Sequence, residues 1–306
     1  MNPGERLFIL AVDHRGSFEK MVGQELDTLV AAKRLVWQGF LDAIAQGARR
    51  EAAGLLIDDQ YGAGIAREAH ERGIVFAMPV EKTGRDEFEF LHGDAFGRAI
   101  EDYDPTYVKA LVRYNPGGDS ELNRRQVARL RELSDWIRVH KRRFMFELLV
   151  PPTHEQLTSV AESRDRYDGE LRPELMLRAI TALQDAGVEP DLWKIEGVDD
   201  RQACSAIAAV ARRDGRDAVG CLVLGRGASV ERVDDWLRAG AGIDGYVGFA
   251  VGRSIFGDAV RDFAANPDDF DMELGAEDIS GRYRRFISVY QEAEEKAPRG
   301  GETAPN

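Results

Sequence analysis

Short apolar runs alternate with longer amphipathic segments along the chain. Polar residues or glycine close each apolar run, which is typical of buried parallel strands. The segments between them place apolar residues at helical spacing, as in 31–48, with Leu35, Phe40, Leu41 and Ile44. The predicted strands are 7–12, 54–57, 74–78, 107–112, 144–150, the run at 191–197, 218–224 and 245–250.

The strand–helix units repeat about every 25 to 35 residues, as in a closed parallel barrel. We therefore predict an α/β fold, a single (β/α)8 TIM barrel over residues 1–295 that includes an extra C-terminal helix at 275–295. A doubly wound open sheet is the alternative, but its usual glycine-rich fingerprint after the first strand is missing. The remaining predictions are a helix at 92–100, loops at 81–90 and 162–170, a turn at 255–256, and a disordered tail at 296–306.

Charge and cysteine content narrow the classes of partner. The 306 residues carry a net charge of -13, which argues against a nucleic-acid partner or an anionic membrane surface. The two cysteines, Cys204 and Cys221, do not suggest a disulfide framework, and we expect a cytoplasmic protein. No apolar run approaches the roughly 18 residues of a membrane span, and no signal segment is recognisable at the N-terminus.

A lysine interrupts the sixth apolar run. Side chains alternate along a strand, so Lys194 faces away from its neighbours Trp193 and Ile195. If those two pack against outer helices, Lys194 points into the barrel, where a lone ammonium is costly. The alternative is that Lys194 extends to the barrel end or pairs with Glu196.

The carboxyl ends of barrel strands form the active site in this fold. Lys109 and Glu147 are further charged residues within apolar strands, and neighbouring strands lie about 4.8 Å apart. Repulsion from Lys109 would favour a neutral, nucleophilic amine on Lys194, and Glu147 could transfer protons. The candidates at the strand ends are Asp13, His14, Arg15, Asp58, Lys109, Arg113, Glu147, Lys194, Glu196, Arg226 and Arg253.

Two glycine-flanked arginines follow the last two strands. Gly225-Arg226-Gly227 follows strand seven, and Gly252-Arg253-Ser254 follows strand eight. Loops at these places often bind phosphate, because glycines admit backbone N–H groups to oxygen and arginine adds a planar fork. The alternative is a pair of ordinary turns with solvated arginines.

The five histidines show no metal-ligand spacing, and we expect no metal. A metal site built from Asp13, His14, Asp58 and Glu147 stays open as an alternative.

Five short segments then point to one family. They are LAVDHRG at 10–16, VKALVRYN at 108–115, FE at 146–147, WKIE at 193–196 and GFAVGR at 248–253. Together they resemble class I aldolases of the tagatose-bisphosphate aldolase type, and more closely the aldolase-like domain fused to 5-dehydro-2-deoxygluconokinase. Two departures from the tagatose enzymes favour the second relative: His14 replaces a glutamine, and Ile195-Glu196-Gly197 replaces a tyrosine–proline ending.

The resemblance implies a Schiff base on Lys194, with Lys109 as a helper lysine, Glu147 as the acid/base carboxylate and Asp13 as a further catalytic residue. It implies no cofactor. It also implies phosphate near Arg226 and Arg253. The substrate-binding candidates are then His14, Arg15, Asp58, Arg113, Gly225, Arg226, Gly227, Gly252 and Arg253.

The expected activity is that of a lyase on a phosphorylated keto sugar or keto sugar acid. The favoured substrate is 2-deoxy-5-keto-D-gluconate 6-phosphate of myo-inositol catabolism, which would give dihydroxyacetone phosphate and malonate semialdehyde. The alternatives are a tagatose-bisphosphate or other ketose-phosphate aldolase, a metal-dependent lyase or isomerase, and a non-catalytic sugar-phosphate binder. We expect a homo-oligomer, since such barrels commonly associate, and any kinase partner as a separate protein.

Overall fold

Eight parallel strands close into a barrel in the computed structural model, which describes residues 5–297. Neighbours in the barrel are neighbours in sequence, and β8 pairs with β1. The predicted (β/α)8 barrel is therefore confirmed, and each strand begins and ends within two residues of its predicted bounds. The strands are β1 (Leu7–Ala11), β2 (Ala53–Leu56), β3 (Val75–Pro79), β4 (Tyr107–Arg113), β5 (Arg143–Leu149), β6 (Leu192–Glu196), β7 (Gly220–Leu224) and β8 (Tyr246–Val251).

Helices surround the barrel and connect consecutive strands. A 3-10 turn at Gly93–Ala95 and a π-helical turn at Tyr167–Leu171 add to them. Within residues 5–297, none of these helices combines the length and apolar character needed to cross a membrane. The helices are α1 (Gly16–Val22), α2 (Leu26–Ala45), α3 (Asp59–Glu71), α4 (Phe96–Tyr103), α5 (Ser120–Val139), α6 (His154–Ser159), α7 (Arg164–Arg166), α8 (Arg172–Asp185), α9 (Arg201–Ala211), α10 (Val230–Gly240), α11 (Arg253–Ala265) and α12 (Met272–Lys296).

Two local predictions were wrong, and a third differs only at the start of its helix. The segment 162–170 holds α7 and most of the π-helical turn, because Ser163 caps α7 and the buried Tyr167 donates from its hydroxyl to Val150 O at 2.8 Å. The pair 255–256 lies inside α11, whose buried face includes both residues. The helix predicted at 92–100 begins instead at Phe96, after the 3-10 turn. The predicted tail lies mostly outside the described residues.

Alternating strand residues divide the core into two layers. Inward-facing residues such as Tyr107, Met145 and Leu192 fill the barrel interior. Outward-facing residues such as Trp193 and Ile195 pack between the barrel and the helices. The alternation around Lys194 is therefore confirmed, and its side chain lies on the interior face.

The C-terminal helix covers the seam where β8 meets β1. Tyr283 on α12 donates a hydrogen bond to Phe8 O at 2.5 Å, and Tyr290 donates to Tyr246 O at 3.1 Å. Both tyrosines are fully buried. The helix predicted at 275–295 is confirmed, and it packs against its own barrel.

The same seam depends on one glycine. Gly248 pairs with Leu7 on β1 and with Leu222 on β7, next to a register shift between β7 and β8. Its φ is +147°, and a Cβ there would lie 2.0 Å from Leu7 O. A side chain would strain the backbone and push β1 away from β8.

We predict that Gly248→Ala lowers the free energy of unfolding by about 3 kcal/mol or more, through backbone strain and overpacking. Gly281→Ala is the matched control. Gly281 lies in α12 with open space where a Cβ would be, so the substitution should raise the free energy of unfolding by about 0.5 to 1 kcal/mol. Urea unfolding measures both. Equal effects of the two substitutions would contradict the importance of the seam.

Candidate active site

Three charged side chains meet inside the carboxyl end of the barrel. Glu147 and Lys194 are directly paired in the register of β5 and β6. The Nζ atom of Lys194 lies 3.0 Å from Glu147 Oε2, and the Nζ atom of Lys109 on β4 lies 2.9 Å from the same oxygen. All three residues are buried. One carboxylate oxygen thus lies between two amino groups, as the sequence predicted for strands four to six.

Lys109 contacts two more carboxylates. Its Nζ donates to Asp13 Oδ2 and to Glu81 Oε1, each at 2.8 Å. Burial alone would lower the pKa of Lys109, but Asp13, Glu147 and Glu81 outweigh it and raise the pKa above its ordinary value. Lys109 is therefore a fixed cation.

The carboxylates respond in the opposite direction. Burial alone would raise the pKa of Asp13 and of Glu147, but Lys109 and Lys194 outweigh it and hold both below their ordinary values. Both groups are therefore carboxylates near pH 7.

Glu81 is the site residue that sequence reasoning missed. It lies two residues beyond β3 and is buried, and its Oε2 accepts a hydrogen bond from Leu111 N at 3.2 Å. Arg15, also buried, donates to Glu81 O at 3.0 Å. The sequence signal for Glu81 is its position in Pro79-Val80-Glu81, a carboxylate just past a strand end in the segment predicted as the 81–90 loop.

Lys194 pairs with Glu147 and not with Glu196. The carboxylate of Glu196 lies 3.2 Å from Arg172 Nη1 and 3.0 Å from Arg226 Nε, and it accepts from Val150 N at 2.9 Å. The alternative pairing considered from the sequence is therefore wrong. Among the described residues, Lys194 has one carboxylate within 4.0 Å. Such a buried amine beside a proton acceptor can act as a nucleophile.

The two glycine-flanked arginines lie together but have different partners. Arg226 Nη1 lies 2.7 Å from Asp168 Oδ2, in addition to its contact with Glu196. Arg253, the first residue of α11, donates to Arg226 O at 3.2 Å and forms no carboxylate pair within residues 5–297. A Cβ at Gly227, whose φ is +70°, would lie 2.7 Å from Arg253 Cζ. The loops therefore adjoin, and Arg253 is the more available cation.

The two further predicted glycines in these loops also lie close to neighbouring atoms. A Cβ at Gly252 would lie 2.2 Å from Ala11 O, so β1 and the start of α11 approach closely. A Cβ at Gly225 would lie 3.1 Å from Val251.

Asp58 and Arg113 lie outside the lysine–carboxylate cluster. Asp58 is buried, pairs with Lys33 and caps α3 by accepting from Tyr61 N at 2.8 Å. Arg113 extends toward the 81–90 loop, where its Nη1 donates to Arg85 O at 2.8 Å. Within the described part of the chain, no three His, Cys, Asp or Glu side chains group to hold a metal ion. The alternative ligand set thus does not converge, because Asp58 faces Lys33.

His14 is partly buried beside the cluster. Its ring meets the ring of Phe256 edge-on, with 5.8 Å between centroids. Burial, with Arg253, Lys194 and Lys33 nearby, lowers the pKa of His14 to about 4 against the opposing effect of Asp13. The imidazole is therefore neutral at pH 7.

We predict unequal stability costs for the two lysines. Lys109→Met leaves three buried carboxylates without their shared cation, and should lower the free energy of unfolding by about 3 to 5 kcal/mol. Lys194→Met leaves Glu147 paired with Lys109, so its loss in the free energy of unfolding should be smaller than that of Lys109→Met by at least about 2 kcal/mol. Lys82→Met, at a half-exposed surface pair, is the control and should cost under about 1 kcal/mol. Equal costs for Lys109 and Lys194 in urea unfolding would contradict this arrangement.

We predict a pH dependence of stability from His14. Its pKa is about 4 when folded, below the ordinary 6.5, so the unfolded chain binds the proton more readily. Its contribution is fully present above pH 6.5 and is lost as the pH falls toward 4. Wild type should lose about 1 to 2 kcal/mol more than His14→Gln between pH 7 and 5. His154→Gln, at an exposed histidine, should behave as wild type; parallel curves for all three proteins would refute the assignment.

Comparisons with known proteins agree with this fold. Among solved structures the chain is similar to an archaeal fructose 1,6-bisphosphate aldolase, with 15% identity, 94% of each chain covered and a TM-score of 0.60. It is also similar to the fructose-bisphosphate aldolase from Slackia heliotrinireducens, with 17% identity, 90% of this chain and 86% of that chain covered, and a TM-score of 0.57. At these identities the likeness shows the barrel fold alone.

Sequence comparison identifies the family. No curated protein matches the chain. Residues 2–294 match the family described as "Uncharacterized protein conserved in bacteria (DUF2090)". The chain therefore belongs to the DUF2090 family.

Proposed function

We propose that the protein is a class I aldolase that cleaves a phosphorylated keto sugar or keto sugar acid through an imine on Lys194. The observation that carries this proposal is the contact between Lys194 Nζ and Glu147 Oε2 at 3.0 Å, in a buried cluster where Lys109 is a fixed cation. The similarity in fold to two structures of fructose-bisphosphate aldolases supports it.

The reaction begins when the amine of Lys194 attacks the ketone carbon of the substrate. Glu147 accepts a proton from the amine and returns it to the oxygen, which gives a carbinolamine. A second proton, taken from solvent, lets the hydroxyl group leave as water and yields an iminium ion. The bond between the α and β carbons then breaks, and its electron pair moves toward the iminium nitrogen to give an enamine. A carboxylate of the cluster takes the proton of the β-hydroxyl, and the aldehyde departs. Protonation of the enamine carbon and hydrolysis release the ketone.

The charged end of the substrate finds a partner across the barrel mouth. Arg253 forms no carboxylate pair within residues 5–297, and it begins α11, whose first backbone N–H groups have no partner within the helix. Arg226 must share its guanidinium with Asp168 and Glu196. We therefore assign the main phosphate contact to Arg253 and α11, and a secondary one to Arg226.

The favoured substrate is 2-deoxy-5-keto-D-gluconate 6-phosphate. Cleavage of its C3–C4 bond gives dihydroxyacetone phosphate, which stays on Lys194 as the enamine, and malonate semialdehyde. This choice follows from the sequence resemblance and from His14 at the glutamine position. Tagatose bisphosphate and other ketose phosphates would use the same imine and differ in the aldehyde released.

We predict that borohydride added with dihydroxyacetone phosphate leaves a stable mass increment on Lys194. Peptide mass spectrometry locates the label. Lys194→Met should abolish it, whereas Lys82→Met, at a lysine outside the cluster, should keep it. A label on Lys109 in place of Lys194, or on no lysine, would overturn the imine assignment. Condensation of the ketone with malonate semialdehyde, compared with glyceraldehyde 3-phosphate, separates the candidate substrates.

A further inference from the structure

A third buried lysine lies next to the turn that follows β1. Lys33 belongs to α2 and is fully buried. Its Nζ donates to the backbone carbonyl of Val12 and to that of His14, the latter at 2.8 Å, and it pairs with Asp58. The aromatic ring of Phe18 lies 4.6 Å from the same nitrogen.

The two carbonyl groups flank Asp13 on either side. β1 ends at Ala11 and α1 begins at Gly16, so residues 12–15 lie outside regular secondary structure. The ammonium group of Lys33 thus fixes the backbone on both sides of a residue that no strand or helix holds. This turn directs the Asp13 carboxylate to Lys109 at a distance of 2.8 Å.

A continuous series of contacts then leads to the proposed nucleophile. Lys109 contacts Asp13 and Glu147, and Glu147 contacts Lys194. If Asp13 were displaced, Lys109 would keep only Glu81 and Glu147 as paired carboxylates. The ammonium group of Lys109 would then attract Glu147 more strongly and draw it away from Lys194. An error of about 1 Å in the placement of reacting groups can cost about 100-fold in rate.

We propose that Lys33 is a positioning residue, which holds the Val12–His14 turn so that Asp13 and Lys109 keep Glu147 in place beside Lys194. The catalytic part of this statement rests on the function proposed above, whereas the geometric part does not. Lys33 touches no reacting atom. Its effect should therefore fall on kcat and leave KM nearly unchanged.

A purely structural role makes a different forecast, because Lys33 and Asp58 form one buried pair. Removal of either partner should then harm the protein alike. Asp58→Asn removes the charge of the pair, keeps an N-cap side chain for α3, and leaves Lys33 with both carbonyl groups. It is the matched control for Lys33→Met. Lys33→Gln, which keeps an N–H donor, is a milder second variant.

The test combines crystal structures with kinetics, both at a temperature where urea unfolding shows the variants to be folded. In Lys33→Met, the carboxylate of Asp13 should move beyond hydrogen-bond distance from Lys109. In Lys33→Gln, it should move away from Lys109 by a smaller distance. In Asp58→Asn that contact should persist. kcat for ketose cleavage should fall about 10- to 100-fold in Lys33→Met, with KM within about threefold, and Asp58→Asn should lose far less.

Two results would overturn the proposal. One is an Asp13–Lys109 contact that is unchanged in both Lys33 variants. The other is a loss of kcat in Asp58→Asn that equals the loss in Lys33→Met. If the wild-type protein forms no imine, the proposed function fails, and the crystal structures still decide whether Lys33 positions Asp13.

Discussion

The site depends on one buried ammonium group, that of Lys109, which is shared by three carboxylates from three different parts of the barrel. Asp13 follows β1, Glu81 follows β3, and Glu147 lies within β5. An isolated buried charge costs several kcal/mol, and a buried carboxylate costs as much. Each group is therefore tolerated because the others are present, and the strands that supply the three carboxylates, β1, β3 and β5, do not pair with one another. The charges also specify the register, since a slip of one residue would turn Lys109 and Glu147 toward the apolar layer.

The two interior lysines look alike in sequence and differ in surroundings. Each stands between apolar residues on a strand, so the alternation of side chains places both inside the barrel. Lys109 contacts three carboxylates, whereas Lys194 contacts one. The difference in surroundings thus comes from residues distant in sequence, Asp13 just after β1 and Glu81 just after β3.

The strands and the inward-facing charges could be predicted because both follow from local rules. A short apolar run, closed by polar residues or glycine, marks each strand, and the carboxyl ends of parallel strands must meet. The loop prediction for 162–170 failed because most of the segment is charged or polar. Tyr167, the buried aromatic residue within it, stabilises a helical turn. Glu81 and Lys33 could be read from the sequence as charged residues, but their partners are 28 and 25 residues away.

Asp58 shows where a rule based on strand ends stops being sufficient. The rule places Asp58 among the site residues, because it follows β2 as Asp13 follows β1. Its side chain instead caps α3 and pairs with Lys33, whereas the carboxylate of Asp13 pairs with Lys109. The distinction depends on α2, which brings an ammonium group beneath the β1 turn at a position that the helical period marks as buried. A lysine on the core face of a helix needs a buried partner, and the polar atoms nearest to it here are the backbone of the β1 turn and Asp58. The helix that covers the barrel therefore also determines which carboxylate faces the site.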